Sequence, residues 1–300
     1  MTQPAYRGRF APSPTGPLHF GSLITALGSY LDAKAQGGEW WLRIDDLDPP
    51  RVSPGATDAI LRALEAYGMA WDGAVQYQRQ RGEAYAAALL ALQRLGVVYP
   101  CACTRREIAD SSVGRPGAPI YPGTCRAGLA PGKRARALRI DTRGVNVGIE
   151  DRLQGAVTQN LEREAGDFIV QRADGLFAYQ LAAVVDDAAL GITDIVRGAD
   201  LLDSTLRQVY LQRMLGLSQP RYLHLPVAIN ALGEKLSKQT LAPPLDIARP
   251  QPALIQALKF LNHPPPQALQ GAETQALLAW AVQSWSVARI PNVRSLEPQI

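Results

Sequence analysis

Apolar positions in the first hundred residues follow two different periods. Gly8-Arg9-Phe10-Ala11 and Trp40 to Ile44 are short runs of strand character, whereas Leu23 to Gln36, Thr57 to Tyr67 and Gly82 to Leu95 repeat apolar side chains every three or four residues. Strand and helix in alternation predict an α/β unit with a parallel sheet, extending to about residue 98. From Tyr99 to Lys133 the periodicity stops and the chain carries Gly, Pro and Ser together with all of its cysteines. Such a segment has too little apolar surface to hold itself together, and a metal is the expected substitute for a core. Regular alternation returns at Ala137 to Asp141, Asp167 to Gln171 and Phe177 to Val185, followed by a polar helical pattern from Leu202 to Leu215. Beyond residue 240 two helical stretches, Ala253 to Leu261 and Thr274 to Trp285, are set off by Pro243-Pro244 and Pro264-Pro265-Pro266, and read as a small helical appendage.

Composition narrows the class. With 300 residues, 47% of them apolar, the chain can bury a sizeable core, and no uninterrupted apolar run is long enough for a membrane span. The start, Met1-Thr2-Gln3-Pro4-Ala5-Tyr6-Arg7, has no apolar signal segment, so a cytoplasmic protein with no membrane partner is expected, and a monomer. A formal charge of +4 is compatible with a local basic face and decides nothing more. Three cysteines in one short region do not make a distributed disulfide framework; they point to a metal.

Two distant motifs carry the candidate chemistry. Gly16-Pro17-Leu18-His19-Phe20-Gly21-Ser22 follows the first strand and opens a helix, where backbone amides, an imidazole and the helix dipole favour phosphate. Lys235-Leu236-Ser237-Lys238-Gln239 sets two cations three residues apart on a loop, suited to charge that develops on pyrophosphate. Singly, His19 reads as a helix-start residue and the lysines as a solvated loop.

In combination and in order, the motifs resemble those of class I aminoacyl-tRNA synthetases of the glutamyl type. The matching pieces are Arg9-Phe10-Ala11-Pro12-Ser13-Pro14-Thr15-Gly16, His19-Phe20-Gly21-Ser22 for the HIGH signature, Arg43-Ile44-Asp45-Asp46-Leu47-Asp48, Tyr179 with Val185-Asp186-Asp187, Ile195-Val196-Arg197-Gly198, and the lysine loop for KMSKS. They span roughly the first 240 residues. The resemblance implies a Rossmann-like catalytic core begun in residues 1–98, a zinc-binding insertion at 99–133, an acceptor-type insertion with the second half of the core at 134–240, and the short helical part at 241–300.

It also implies roles. Activation joins a carboxylate to the α-phosphate of ATP, accompanied by Mg2+, so His19, Gly21, Ser22, Lys235 and Lys238 become the expected catalytic set, with His19, Gly21 and Lys238 on ATP. Ser22 replaces the second histidine of HIGH and Gln239 the last serine of KMSKS. Glutamate is expected against Arg9, Phe10, Ala11, Pro12, Ser13, Asp45, Tyr179 and Arg197. Arg9 and Arg197 are bidentate donors for its side-chain carboxylate, and Asp45, one methylene shorter than the family's glutamate, faces the ammonium. Surface pairing of Arg197 with Asp194 or Asp200 is the alternative.

For the metal, Cys101, Cys103 and Cys125 suit one structural zinc ion, which needs a fourth ligand. None of the three histidines, at 19, 224 and 263, lies near them in sequence. The resemblance is to a branch that uses a tyrosine, here Tyr121; Glu107 is the other candidate, and three metal-free thiols are the remaining alternative.

About sixty residues follow the lysine loop, which leaves no room for the anticodon-reading domains of an ordinary glutamyl enzyme, and Ala183 stands where such enzymes have Asn. Both features resemble the stand-alone branch, the glutamyl-Q tRNA(Asp) synthetases, which activate glutamate without tRNA and attach it to queuosine in the anticodon loop of tRNA(Asp). The expected partners are therefore ATP, L-glutamate and queuosine-containing tRNA(Asp). The alternatives are a minimal glutamyl-tRNA synthetase charging the 3′ end of tRNA(Glu), and a nonenzymatic paralogue that binds RNA or protein.

Overall fold

A computed structural model describes residues 5–111, 120–236 and 243–298, without the side chains of 110 and 111. Strand Arg7–Phe10 pairs in parallel with Glu39–Ile44, Phe10 lying opposite Leu42, and that strand pairs in parallel with Gln76–Tyr77. The crossover between the first two is helix Phe20–Ala35, whose Leu23, Ile24, Leu27 and Leu31 are fully buried, each contributing roughly 1.5–3 kcal/mol. Gly28 on that helix allows a close approach to the sheet, since a Cβ there would lie 2.4 Å from Leu225 Cδ1.

Strand Asp194–Gly198 runs beside Arg7–Phe10, and the Thr193 amide donates to the Arg7 carbonyl at 2.9 Å. It pairs in parallel along its whole length with Arg221–Leu225, and helix Leu202–Met214 connects the two. A hairpin, Asn146–Asp151 with Gly155–Asn160, completes this side: it is antiparallel within itself and joined in parallel to Arg221–Leu225 through Asp151 and Tyr222. The parallel core expected from the alternation is therefore present, extended by an antiparallel edge.

The segment Phe177 to Val185 differs from its expected alternation: Tyr179–Ala189 is a helix. Leu181, Ala182, Ala183, Val184, Asp186 and Asp187 are all buried there, so no polar stripe marks the helical period.

Val98–Cys101 pairs antiparallel with Ala137–Ile140, and the latter antiparallel with Ile169–Gln171. The irregular insertion leaves from this small sheet and returns to it, with its own minor cluster of Cys101, Tyr121 and Cys125. Helices Pro250–Phe260 and Thr274–Ser284 pack on Phe20–Ala35, and their Leu254, Leu258, Leu277 and Leu278 belong to the same core as Leu23 and Leu27. Buried Asp32 ties these parts together, accepting from Tyr6 Oη (2.6 Å), Arg152 Nη1 (2.5 Å) and Trp285 Nε1 (3.0 Å). Residues read as an appendage thus share the central core. Among the described residues no helix is long and apolar enough to cross a membrane.

Candidate active site and metal centre

After Phe10 the chain runs irregularly to His19, which caps helix Phe20–Ala35. Its Nδ1 accepts from the Ser22 amide at 3.3 Å, so in the neutral ring the proton sits on Nε2 and makes that nitrogen a donor. Gly21 has a steric reason beyond nucleotide approach: a Cβ would lie 2.8 Å from the Leu236 carbonyl oxygen and 3.2 Å from His19 Cε1. The two motifs are therefore in contact through backbone. The lysine loop is shaped by Asn230, whose side-chain oxygen accepts from the Leu232 and Glu234 amides, and by a 2.8 Å bond from the Leu236 amide to the Ala228 carbonyl. Lys235 Nζ lies 2.6 Å from Asp200 Oδ2. Ser237, Lys238 and Gln239 fall outside the described residues.

A cavity of 660 Å³ opens at the carboxyl ends of the adjacent strands Arg7–Phe10 and Asp194–Gly198. Their following connections depart in opposite directions, the arrangement in which open parallel sheets offer a ligand crevice. Arg9, Phe10, Ala11, Pro12, Ser13, His19, Gly21, Ser22, Tyr179, Arg197 and Lys235 all line it. Asp45 does not: its carboxylate is buried against Arg43, with Nε to Oδ1 at 2.6 Å.

Arg43 is fully buried and also reaches Asp187 Oδ1 at 2.6 Å, and Asp187 in turn receives Arg9 Nε at 3.1 Å. Asp45, Arg43, Asp187 and Arg9 form one alternating chain of charge that ends at the cavity wall. Burial opposes the Asp187 carboxylate, but Arg9 and Arg43 outweigh it and hold its pKa below the ordinary value. For Asp45 burial wins over Arg43 and raises the pKa. Asp187 was visible in the sequence within Val185-Asp186-Asp187, but nothing local identified Arg9 as its partner.

Arg197 is 3% exposed and pairs with neither Asp194 nor Asp200. Its Nη2 donates to Thr205 Oγ1 (2.6 Å) and Gln208 Oε1 (2.7 Å), and its Nε faces His224 Nε2 at 3.4 Å. Nη1 is buried with no hydrogen-bond partner among the described residues. A buried, unpaired guanidinium nitrogen is costly unless an acceptor arrives, and a carboxylate is the complementary one. Tyr179 stands at the start of its helix, 36% exposed and lining the same cavity.

In the insertion, the sulfurs of Cys101, Cys103 and Cys125 lie within 4.8 Å of one another, and Cys103 and Cys125 are 3.6 Å apart. Tyr121 Oη is 3.4 Å from Cys101 Sγ and 3.8 Å from Cys103 Sγ, and accepts from the Cys125 amide at 2.9 Å. Tetrahedral zinc with ordinary bond lengths has sulfur–sulfur edges of about 3.8 Å and sulfur–oxygen edges of about 3.5 Å. The donor set fits those edges, and the three cysteines can bind a metal such as zinc. Arg139 adds positive charge, donating from Nε to Cys101 Sγ at 3.3 Å with its guanidinium 3.9 Å above the Tyr121 ring centre. Burial and the Cys125 contact push the Cys103 thiol up to about 11, so an ion would have to displace its proton. Glu107 is engaged elsewhere, with the Thr104 amide (2.7 Å) and Lys133 (2.6 Å).

Comparison with known proteins agrees with this geometry. Residues 5–248 match the family described as tRNA synthetases class I (E and Q), catalytic domain. The chain is 56% identical over 289 residues to the glutamyl-Q tRNA(Asp) synthetase of Dechloromonas aromatica, covering 96% of each chain. It is 55% identical over 292 residues to that of Thiobacillus denitrificans, covering 97% of each. A crystal structure of glutamate-tRNA synthetase from Elizabethkingia anophelis superposes with a TM-score of 0.80 at 24% identity, over 97% of this chain and 67% of that one, which is a likeness of fold. The chain belongs to the class I tRNA synthetase (E and Q) family and, within it, to the glutamyl-Q tRNA(Asp) synthetases.

Proposed function

We propose that the chain uses ATP to activate L-glutamate without tRNA and transfers it to queuosine in the anticodon loop of tRNA(Asp). The observation that carries the activation step is the pairing, in one 660 Å³ cavity, of the unpartnered Arg197 Nη1 with a phosphate-type helix start at His19. The acceptor is supported by the relatives' identity over nearly the whole chain.

Arg197 takes the substrate side-chain carboxylate, with the Tyr179 hydroxyl alongside. Arg9 is held at the wall by Asp187, and Asp45 acts through Arg43 rather than by direct contact. The α-carboxylate oxygen attacks the α-phosphorus, the bond to the bridging oxygen breaks, and pyrophosphate leaves with the electron pair. His19 donates from Nε2 to phosphate oxygens and the helix dipole adds to it, while Lys235 and Lys238 take up charge on the leaving group. Mg2+ bound with ATP supplies further charge neutralisation. A queuosine hydroxyl then attacks the acyl carbon, the bond from that carbon to the phosphate oxygen breaks, and AMP departs with the electron pair while its phosphate takes up the hydroxyl proton. Cys101, Cys103 and Cys125, with Tyr121 as fourth ligand, would hold one zinc ion as a crosslink within the insertion.

The test is glutamate-dependent ATP–pyrophosphate exchange in the absence of tRNA, followed by nuclease mapping of labelled glutamate on total tRNA. Exchange without tRNA and label in the anticodon loop of tRNA(Asp) are expected. Strict dependence on tRNA(Glu), or label confined to a 3′-terminal adenosine, would overturn the proposal.

A further inference from the structure

Behind Arg197 lies a buried pair that no reading of the motifs uses. His224, on strand Arg221–Leu225, is fully buried, and its Nδ1 is 2.6 Å from Asp151 Oδ2, itself fully buried at the end of strand Asn146–Asp151. The other oxygen of that carboxylate, Oδ1, accepts from the amides of Leu153 (3.0 Å), Gln154 (2.8 Å) and His224 (3.3 Å). On the far side of the ring, Nε2 meets Thr205 Oγ1 at 2.7 Å and Arg197 Nε at 3.4 Å.

The single Thr205 hydroxyl proton has two acceptors in reach, the Leu201 carbonyl at 2.9 Å and His224 Nε2 at 2.7 Å, so Thr205 alone allows either neutral tautomer and the contact with Arg197 selects between them. A guanidinium has only donors, so the ring nitrogen facing Arg197 must offer a lone pair, and the proton must sit on Nδ1, where Asp151 accepts it. Burial disfavours the imidazolium more than Asp151 favours it, and the Arg197 charge acts in the same direction as burial. Nε2 of His224, Oγ1 of Thr205 and Oε1 of Gln208 then form an acceptor wall that fixes Nε and Nη2 of Arg197 and leaves Nη1 for the ligand.

We propose that Asp151 and His224 are positioning residues of glutamate activation: the carboxylate sets the imidazole tautomer, and the imidazole lone pair sets the orientation in which Arg197 meets the substrate carboxylate. This role rests on the glutamate reading given above.

Asp151→Asn tests it with little change of shape. Three amides converge on Oδ1, so the carbonyl of the new side chain must take that place and its NH2 must face His224 Nδ1. Nδ1 then becomes the acceptor and the ring proton moves to Nε2, where it is aimed at Arg197 and Thr205. Nitrogen-15 NMR of the three histidines, assigned with His224→Gln, should show His224 as the Nδ1–H form in the unaltered protein and as Nε2–H in Asp151→Asn. In ATP–pyrophosphate exchange the variant's KM for glutamate should rise by about tenfold or more, the loss expected when a charged hydrogen bond is misdirected, with the KM for ATP nearly unchanged. An Nε2–H form of His224 in the unaltered protein would overturn the proposal without any kinetic measurement. A shifted tautomer with an unchanged glutamate KM would overturn it as well. Failure of the unaltered protein to bind glutamate by calorimetry would instead remove the glutamate reading and this role with it.

Discussion

Lys235 is joined to Asp200 by a 2.6 Å ion pair, which ties the lysine loop to the residues following the Arg197 strand. Both side chains are partly exposed, so the pair adds little to stability. Its consequence is kinetic, because Lys235 cannot hold Asp200 and a phosphate equally well. In Asp200→Asn the KM for ATP should fall, by up to about fivefold given the strength of exposed pairs, with the melting temperature nearly unchanged. A rise in the KM for ATP would mean that Asp200 holds Lys235 in its productive place.

Gly21→Ala should act through the backbone of the opposite motif. The new methyl would meet the Leu236 carbonyl, which cannot swing aside as a flexible side chain would. Displacement of the lysine loop by a fraction of an ångström should cut exchange turnover by roughly tenfold to a hundredfold, with a small effect on the KM for glutamate. Unchanged turnover would show that the loop's resting contact with Gly21 is irrelevant to catalysis.

Protein purified without chelator should contain one zinc ion per chain, measured by plasma emission. Cys125→Ser should lose it and should speed hydrogen exchange in residues 99–133, leaving the parallel core protected, because a structural ion stabilises chiefly the segment that supplies its ligands. Equal loss of protection at Leu27 and Leu223 would contradict this separation.

Two buried histidines set the mild-acid behaviour. Burial lowers the pKa of His224 and of His263 below the ordinary value, although Asp151 opposes it at the first and the Leu261 carbonyl at the second. The unfolded chain then binds more protons than the folded one, so stability is complete above about pH 6.5 and falls as pH drops from there through the folded values. Asp45, raised by burial, has the opposite sign: its ionisation weakens the fold as pH rises through its folded value. The urea midpoint should therefore decline from pH 7.5 to 5.5, and decline less in His263→Gln. A midpoint independent of pH over that range would sink the argument.

What the sequence revealed depended on how far apart the interacting residues lie. His19 and Gly21 are local, because the helix start and its cap are written in consecutive residues, and the three cysteines announce themselves by proximity. Arg197 is different. Its holders Thr205, Gln208 and His224 come from a following helix and a neighbouring strand, and Asp151, which orients His224, comes from a hairpin that the periodicity did not reveal. The helix that carries Asp187 was hidden for another reason: it is buried on several sides, and the resulting apolar run mimics a strand. Asp45 was drawn toward the substrate by its motif, whereas the fold spends its charge on Arg43.

The shared core of helices Phe20–Ala35, Pro250–Phe260 and Thr274–Ser284 bears on how this protein can be cut down. The match to the catalytic-domain family ends at residue 248, yet Leu254, Leu258, Leu277 and Leu278 cover the helix that His19 caps and whose first turn carries Gly21. The border of the catalytic-domain match and the border of the folded core therefore differ in this chain. A minimal catalyst engineered from it would have to keep the last two helices, or redesign the greasy face that they shield, before any change at the active site could be interpreted.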